Sequence, residues 1–257
     1  MAQPIQYSFQ RYEKKYFLTP EQYAALRKMA QPYIREDEYG KTAICNIYYD
    51  TDDFQLIRAS IEKPVYKEKL RIRSYGVPEE SGKVFIELKK KYDGIVCKRR
   101  ILSAADRAPI LLNSRVPSES TGQIEKEIFA FLQRYQTEPK VFIGYDRVAC
   151  VGREDPSLRI TFDTRLRWRE TDPDLRAGDS GAPIFSEDLI LMELKVPLSV
   201  PLWLCRILSG IGAVPTSFSK YGACYINHLL PQFQKRFLPK SENENKNYNK
   251  KEDLCSA

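Results

Sequence analysis

Five stretches of this sequence separate Lys, Arg and Glu from aliphatic residues by strict alternation. In YKEKLRIRSY, Lys67, Lys69, Arg71 and Arg73 share one side, with Leu70 and Ile72 on the other. In KVFIELKKKY, Glu87, Lys89 and Lys91 oppose Val84, Ile86 and Leu88. IVCKRRIL sets Lys98 and Arg100 against Cys97 and Ile101, and LRITFDTRL sets Arg159, Thr161, Asp163 and Arg165 against Ile160 and Phe162. ILMELKV places Glu193 and Lys195 opposite Met192, Leu194 and Val196. Successive side chains of a strand point to opposite faces, so each stretch reads as a strand with one charged face. A solvated surface would account for one such strand. Like charges that neighbour each other on a sheet repel, however, and five such faces in one chain argue for a shared interior. A sheet closed with its charged side inward would make a cationic tunnel. Burying so many cations unpaired is prohibitive, so the tunnel needs interleaved carboxylates and an anionic guest. A triphosphate chain, with several negative charges, is the natural guest.

The elements that position these residues follow from the same alternation. Strands are expected at about 7–17, 43–50, 66–75, 83–92, 95–102, 141–150, 157–168 and 189–196. Segment 19–35 has helix-start chemistry, with Thr19 as N-cap, Pro20 at the first position and Glu21 and Gln22 in the first turn. A second helical pattern covers 122–135, where Ile124, Ile128, Phe129 and Leu132 share a face. Further helices are expected near 199–213 and 219–234. Segments 76–83 and 171–188 carry Pro, Gly, Asp and Ser and read as loops. Residues 240–257 are polar and read as a disordered tail. No internal repeat or linker divides the rest, so 1–239 is expected to form one domain. The expected class is α+β: a closed antiparallel β-barrel of about eight strands with helices packed outside.

The totals bound the function. The chain has 257 residues, 41 Lys and Arg against 34 Asp and Glu, and a formal charge of +7, which favours anionic partners. A single histidine, His228, leaves little room for an imidazole-based triad or metal site. Six scattered cysteines (45, 97, 150, 205, 224 and 255) show no CxxC pair, and read as buried free thiols of a reducing compartment. The first residues lack the apolar core of a signal peptide. The most apolar stretch, Val196 to Pro215, contains Arg206 and prolines at 197, 201 and 215, which excludes a membrane span. A soluble cytoplasmic protein is expected. Nucleic-acid binding is disfavoured, because the cations alternate with aliphatic residues rather than with aromatic stacking platforms.

Six short motifs, in order from about residue 10 to 225, resemble the catalytic domain of vacuolar transporter chaperone (VTC) polyphosphate polymerases. They are LRIRSYG, FIELKKKYDG followed by KRR, YDR, RITFDT, MELK and the late SKYG. That family lies within the CYTH, or triphosphate tunnel metalloenzyme, superfamily. The wider superfamily opens with an ExExK strand whose carboxylates hold metal and whose lysine holds phosphate. Here the stretch reads RYEKK, with Arg11 in place of the first Glu while Glu13 and Lys15 are kept. This departure is like the polymerase branch and unlike the thiamine-triphosphatase and class IV cyclase branches.

The resemblance implies phosphate or nucleotide contacts from Lys15, Arg71, Arg73, Lys89, Lys98, Arg147, Arg159, Ser219 and Lys220. Lys69 joins them from the shared strand face, and Arg100 because the KRR motif aligns in more than one way. Lys220, Arg71 and Arg73 are implied to act on the transferred phosphate, Lys220 at the start of the helix SKYGACYINHLL. Glu193 is implied as the ligand of a divalent ion, Mn2+ or Mg2+. Glu87 and Asp163 read either as further metal carboxylates or as structural counter-ions, with the counter-ion role preferred. Phosphoryl transfer fits these residue types, since it needs charge neutralisation and in-line placement more than covalent work by the protein. The implied activity is transfer of the γ-phosphate of ATP to a growing polyphosphate chain. Two alternatives stay open: a tripolyphosphate or nucleoside-triphosphate hydrolase, and a non-catalytic module that binds polyphosphate or inositol polyphosphate. The partners implied are ATP and polyphosphate, with no direct membrane insertion and no protein partner identified.

Overall fold

A computed structural model describes residues 12–93, 95–114 and 122–237. Arg11, Cys255 and the expected tail at 240–257 lie outside the described residues. All eight expected strand regions form strands, and two short ones join them. In chain order these are β1 (Tyr12–Leu18), β2 (Ile34–Asp50), β3 (Tyr66–Tyr75), β4 (Lys83–Tyr92), β5 (Ile95–Ala104), β6 (Glu138–Gly152), β7 (Arg159–Arg169), β8 (Ala182–Pro183), β9 (Ile190–Val196) and β10 (Pro215–Thr216). Every pairing is antiparallel, in the order β10–β1–β9–β7–β6–β2–β3–β4–β5, with β8 beside β7.

This corrects the expected closed barrel of about eight strands. The sheet has ten strands and is open, since among the described residues its end strands β5 and β10 do not pair with each other. The reason lies at the ends. The strand β10 is two residues long, and one of them, Pro215, has no N–H to give to a ladder. The sheet nevertheless curls: Lys89 of β4 feels the charges of Glu13 and Lys15 on β1, although five strands separate β1 from β4 in the paired order. The charged faces therefore line a concave surface.

The convex surface is apolar and carries two groups of helices. Over β2, β3 and β4, the residues Cys45, Ile47, Leu70, Ile72, Val84, Ile86 and Leu88 pack against α3 (Arg107–Ser114) and α4 (Gln123–Arg134). Helix α4 buries Ile128, Phe129, Phe131 and Leu132, one stripe of a 3.6-residue period. Over β1, β6, β7 and β9, the residues Tyr16, Leu18, Cys150, Ile160, Phe162, Met192 and Leu194 pack against α1 (Pro20–Ala30) and α5 (Leu202–Gly210). Helix α1 starts where the sequence requires, with a capping box in which Thr19 Oγ1 accepts from the Gln22 amide and Gln22 Oε1 accepts from the Thr19 amide.

Not all helices lie outside. Helix α2 (Gln55–Ile61) and α6 (Lys220–Cys224), which runs on through a π-helical turn at Tyr225–Leu229 into α7 (Leu230–Phe237), cross the concave face. They do so because that face is apolar along β2 and β6, where Ile44, Tyr48, Val141, Ile143 and Tyr145 need cover from water. Of the cysteines, Cys45, Cys150 and Cys224 are buried free thiols as expected, whereas Cys97 and Cys205 are exposed free thiols. No helix among the described residues is long and apolar enough to cross a membrane.

Candidate functional site

Strand register brings the charged side chains together. Lys69 lies opposite Lys89, and Arg71 opposite Glu87, across β3 and β4. Lys89 in turn faces Lys98, and Glu87 faces Arg100, across β4 and β5. On the far side of the curl, Lys15 opposes Glu193 between β1 and β9, Arg147 opposes Asp163 between β6 and β7, and Thr161 opposes Glu193 between β7 and β9. All ten strand residues expected to contact phosphate or metal thus share the concave face. The other two, Ser219 and Lys220, reach it from α6.

Glu87 is buried and holds the cations of β3 and β5. It accepts from Arg71 Nε at 2.9 Å and Nη2 at 2.7 Å, pairs with Lys98 Nζ at 2.5 Å, and has Arg73 Nε at 3.8 Å. Burial raises its pKa, but Arg71, Arg73 and Lys98 outweigh burial and hold it down at about 2. Arg73 is fixed further by Asn46 Oδ1 at 2.8 Å and by the Tyr145 hydroxyl at 3.0 Å, and Arg71 by the Tyr48 hydroxyl at 3.0 Å. These partners turn two flexible guanidiniums into a fixed pair of forks.

The second cluster is centred on Lys220. Its Nζ lies 2.6 Å from Asp163 Oδ2, 3.1 Å from Glu193 Oε1 and 4.4 Å from the centre of the Tyr145 ring. Arg147 forms two bonds to Asp163, at 2.6 and 2.7 Å, and approaches Glu193 at 3.6 Å. Burial lowers the Lys220 pKa, but Asp163 and Glu193 more than offset it, and the ammonium stays charged. Burial likewise raises Glu193, while Lys220, Arg147, Lys195 and Lys15 hold it well below the ordinary carboxylate range. Ser219 caps α6 by accepting from the Gly222 amide at 3.2 Å, and its Oγ also meets Lys69 Nζ at 2.9 Å.

The remaining cations are less held. Lys15 pairs with Glu13 at 2.7 Å. Neither Lys69 nor Lys89 has a carboxylate at ion-pairing distance among the described residues. Burial, then the surrounding Lys89, Lys67, Lys15 and Arg71, lower Lys69 to about 7. Burial and the cations Lys15 and Arg71 bring Lys89 down to about 8, against the pull of Glu13 and Glu193. Arg100 and Arg159 are exposed at the rim, Arg100 with its guanidinium 4.9 Å from the centre of the Phe85 ring and Arg159 opposite Lys195.

The oxygen donors that could contribute to a divalent-ion site lie at one corner of this face. Glu193 and Glu13 are close enough for each charge to act on the other, and they sit diagonally on β9 and β1. Thr161, directly across from Glu193, has a buried hydroxyl with no hydrogen-bond partner among the described residues. No group of three His, Cys, Asp or Glu side chains gathers among the described residues, so the chain offers only a partial oxygen set. That suits a hard ion that takes its remaining ligands from phosphate and water.

The charged residues were visible as a period of two. Asn46, Tyr48 and Tyr145 were not singled out, although they obey the same alternation (46, 48 on β2; 145, 147 on β6) and supply neutral hydrogen-bond partners to Arg71 and Arg73.

The chain is 25% identical over 220 residues to the vacuolar transporter chaperone complex subunit 4 of Trypanosoma brucei brucei, a match that takes in 69% of this chain and 27% of that relative's length. Among solved structures, a candidate adenylate cyclase from Vibrio parahaemolyticus superposes with a TM-score of 0.45 at 11% identity, covering 85% of this chain and 98% of that one. A candidate adenylyl cyclase from Hippeastrum, described as having a dominant triphosphatase activity, gives 0.43 at 16% identity over 81% of this chain and 92% of that one. The profile of the VTC domain matches residues 10–227, nearly all of the described structure, and the chain belongs to the VTC domain family.

Proposed function

We propose that the concave face binds a linear phosphate chain and transfers the γ-phosphate of ATP to it. The observation that carries this reading is the charge balance of the face. Lys15, Lys67, Lys69, Arg71, Arg73, Lys89, Lys98, Arg147 and Lys220 share it with four carboxylates, Glu13, Glu87, Asp163 and Glu193. Glu87 and Asp163 are committed to arginines and Lys220, so the remaining positive charge calls for an anion that extends across the face. The fixed forks of Arg71 and Arg73 would take non-bridging phosphate oxygens two at a time, and Lys15, Lys69 and Lys89 would supply point charges. Glu193, with Glu13 and the Thr161 hydroxyl beside it, would hold Mn2+ or Mg2+. Such an ion neutralises charge on the transferred phosphate when bound. The acceptor is itself a phosphate, a competent nucleophile once held in line, so the absence of a histidine base from the face is no obstacle.

The test is incubation of the purified protein with ATP and Mn2+, with and without a short polyphosphate primer. Staining of a gel for polyphosphate and release of ADP are expected. Recovery of nearly all released γ-phosphate as orthophosphate, with primer present, would replace the polymerase reading with a hydrolase.

A further inference from the structure

Of the central cations, Lys69 and Lys89 lack a carboxylate at ion-pairing distance among the described residues, and Lys69 is the one of the two that meets a hydroxyl instead. Arg71, Arg73 and Lys98 share Glu87, Arg147 and Lys220 share Asp163 and Glu193, and Lys15 has Glu13. Lys69 has only a hydroxyl, Ser219 Oγ at 2.9 Å. Around it stand Lys67 and Arg71 on its own strand, Lys89 opposite on β4 and Lys15 on β1. From α6 it meets Ser219, while the adjacent Lys220 is turned to Asp163 and Glu193. The carboxylates of the face are thus all engaged elsewhere.

We propose that Lys69 is a proton-linked phosphate contact, which takes up a proton at Nζ when a phosphate chain is seated and gives it back when the chain leaves. The inference rests on the phosphate-chain reading above and adds to it the protonation state of one residue. In the free protein a neutral Nζ can accept the hydroxyl proton of Ser219 as a hydrogen bond, since that oxygen already accepts from the Gly222 amide. On binding, a proton from the buffer adds to the Nζ lone pair. The resulting ammonium has three donors, one for Ser219 Oγ and the others free for phosphate oxygens. No other bond forms or breaks. The low pKa of about 7 in the free face agrees with this, and the anion raises it towards the ordinary lysine value. Because the pKa rises on binding, protons are taken up, and affinity strengthens as pH falls towards about 7 and levels off below it. Lys69→Arg keeps the cation but removes the titration, since guanidinium stays charged.

The experiment is calorimetric titration of inorganic tripolyphosphate into the full chain at about pH 8, without divalent ion, in two buffers of different ionisation enthalpy. The wild type should take up about one proton more per site than Lys69→Arg or Lys69→Met, and the difference should vanish near pH 6. Lys69→Arg should retain binding within about tenfold of the wild type, the scale of one altered charge contact. Equal proton numbers for wild type and Lys69→Arg, both binding, would overturn the inference and leave the phosphate site standing. Failure of the folded wild type to bind tripolyphosphate at all would instead remove the phosphate-chain reading, and this inference with it. Because Lys69→Arg keeps a long side chain and the cation of the bound state, the comparison does not depend on Lys69→Met folding.

Discussion

Glu87 and Glu193 are both carboxylates in a cationic face, and their surroundings give them different work. Glu87 is 1% exposed and ringed by Arg71, Arg73 and Lys98. Replacing it by Gln leaves Arg71 and Arg73 largely buried without this counter-charge, a loss of about 3 kcal/mol for a broken buried pair. Its folded pKa lies below the ordinary value of 4.5, so its contribution is complete above that value and is lost as pH falls towards about 2. Chemical denaturation between about pH 5 and pH 2 should therefore show a steep loss in the wild type and a flatter profile in Glu87→Gln. Glu193 instead sits beside Glu13 and the orphaned Thr161 hydroxyl. For Glu193→Gln, Mn2+-dependent turnover should fall about a hundredfold or more, the scale of one lost electrostatic stabiliser, while tripolyphosphate affinity holds or rises. Unchanged Mn2+-dependent turnover in that variant would remove Glu193 from the metal site. The alternation alone does not separate the two glutamates, although Glu193 was implied as the metal ligand and Glu87 was read with the counter-ion role preferred. Both occupy the same phase of a strand alternation, and only the cross-strand register, which joins residues far apart in the chain, decides their neighbours.

At the scale of elements, Asp50 explains a helix that the sequence hid. The N-cap of α2 is Phe54, left-handed at φ 60° and with no side chain able to cap. Asp50 at the end of β2 does that job from four residues earlier, accepting from the Leu56 and Ile57 amides at 2.9 and 3.0 Å. The same carboxylate accepts from the Tyr221 hydroxyl at 2.9 Å, and so ties α2 to the turn of α6 that carries Lys220. Asp50→Ala should cost about 2 to 4 kcal/mol in urea unfolding, since several buried donors lose their acceptor. It should also weaken tripolyphosphate binding, although Asp50 lies among apolar residues and touches none of the phosphate contacts. A variant as stable as the wild type would show the link to be dispensable. The helices with local signals, α1 with its Thr19 capping box and α4 with its apolar stripe, were legible. Helices α2 and α3 were not, because the first borrows its cap and both have only one or two turns. The strand β2 begins at Ile34, inside the segment expected to remain helical to 35, because the helix stops at Ala30.

For the whole molecule, the excess of cations on one face makes stability depend on what fills it. Tripolyphosphate should raise the melting temperature through binding to the folded state alone, and the shift should shrink as ionic strength rises from about 0.05 to about 0.5 M. A shift insensitive to salt would mean that the anion binds elsewhere. The alternation of charges foretold this concave face but not its open seam. Closure depends on whether the two end strands have backbone groups to exchange, and although Pro215 was noted in the sequence, the two-residue strand β10 that it opens is too short to show as an alternation.

The open seam has a consequence for how the protein behaves in a crowded solution. Among the described residues β5 is an edge strand, with Ile95, Val96 and Leu102 exposed along it, a combination that invites another chain to add itself to the sheet. Lys98, Arg99 and Arg100 occupy its middle. Two copies pairing edge to edge would bring those cations together, and the repulsion opposes fibrillar growth. Lys98 and Arg100 face the concave side while Arg99 is turned to Glu127 of α4, so the edge carries cations on both faces, and neutral residues at 98–100 should raise aggregation.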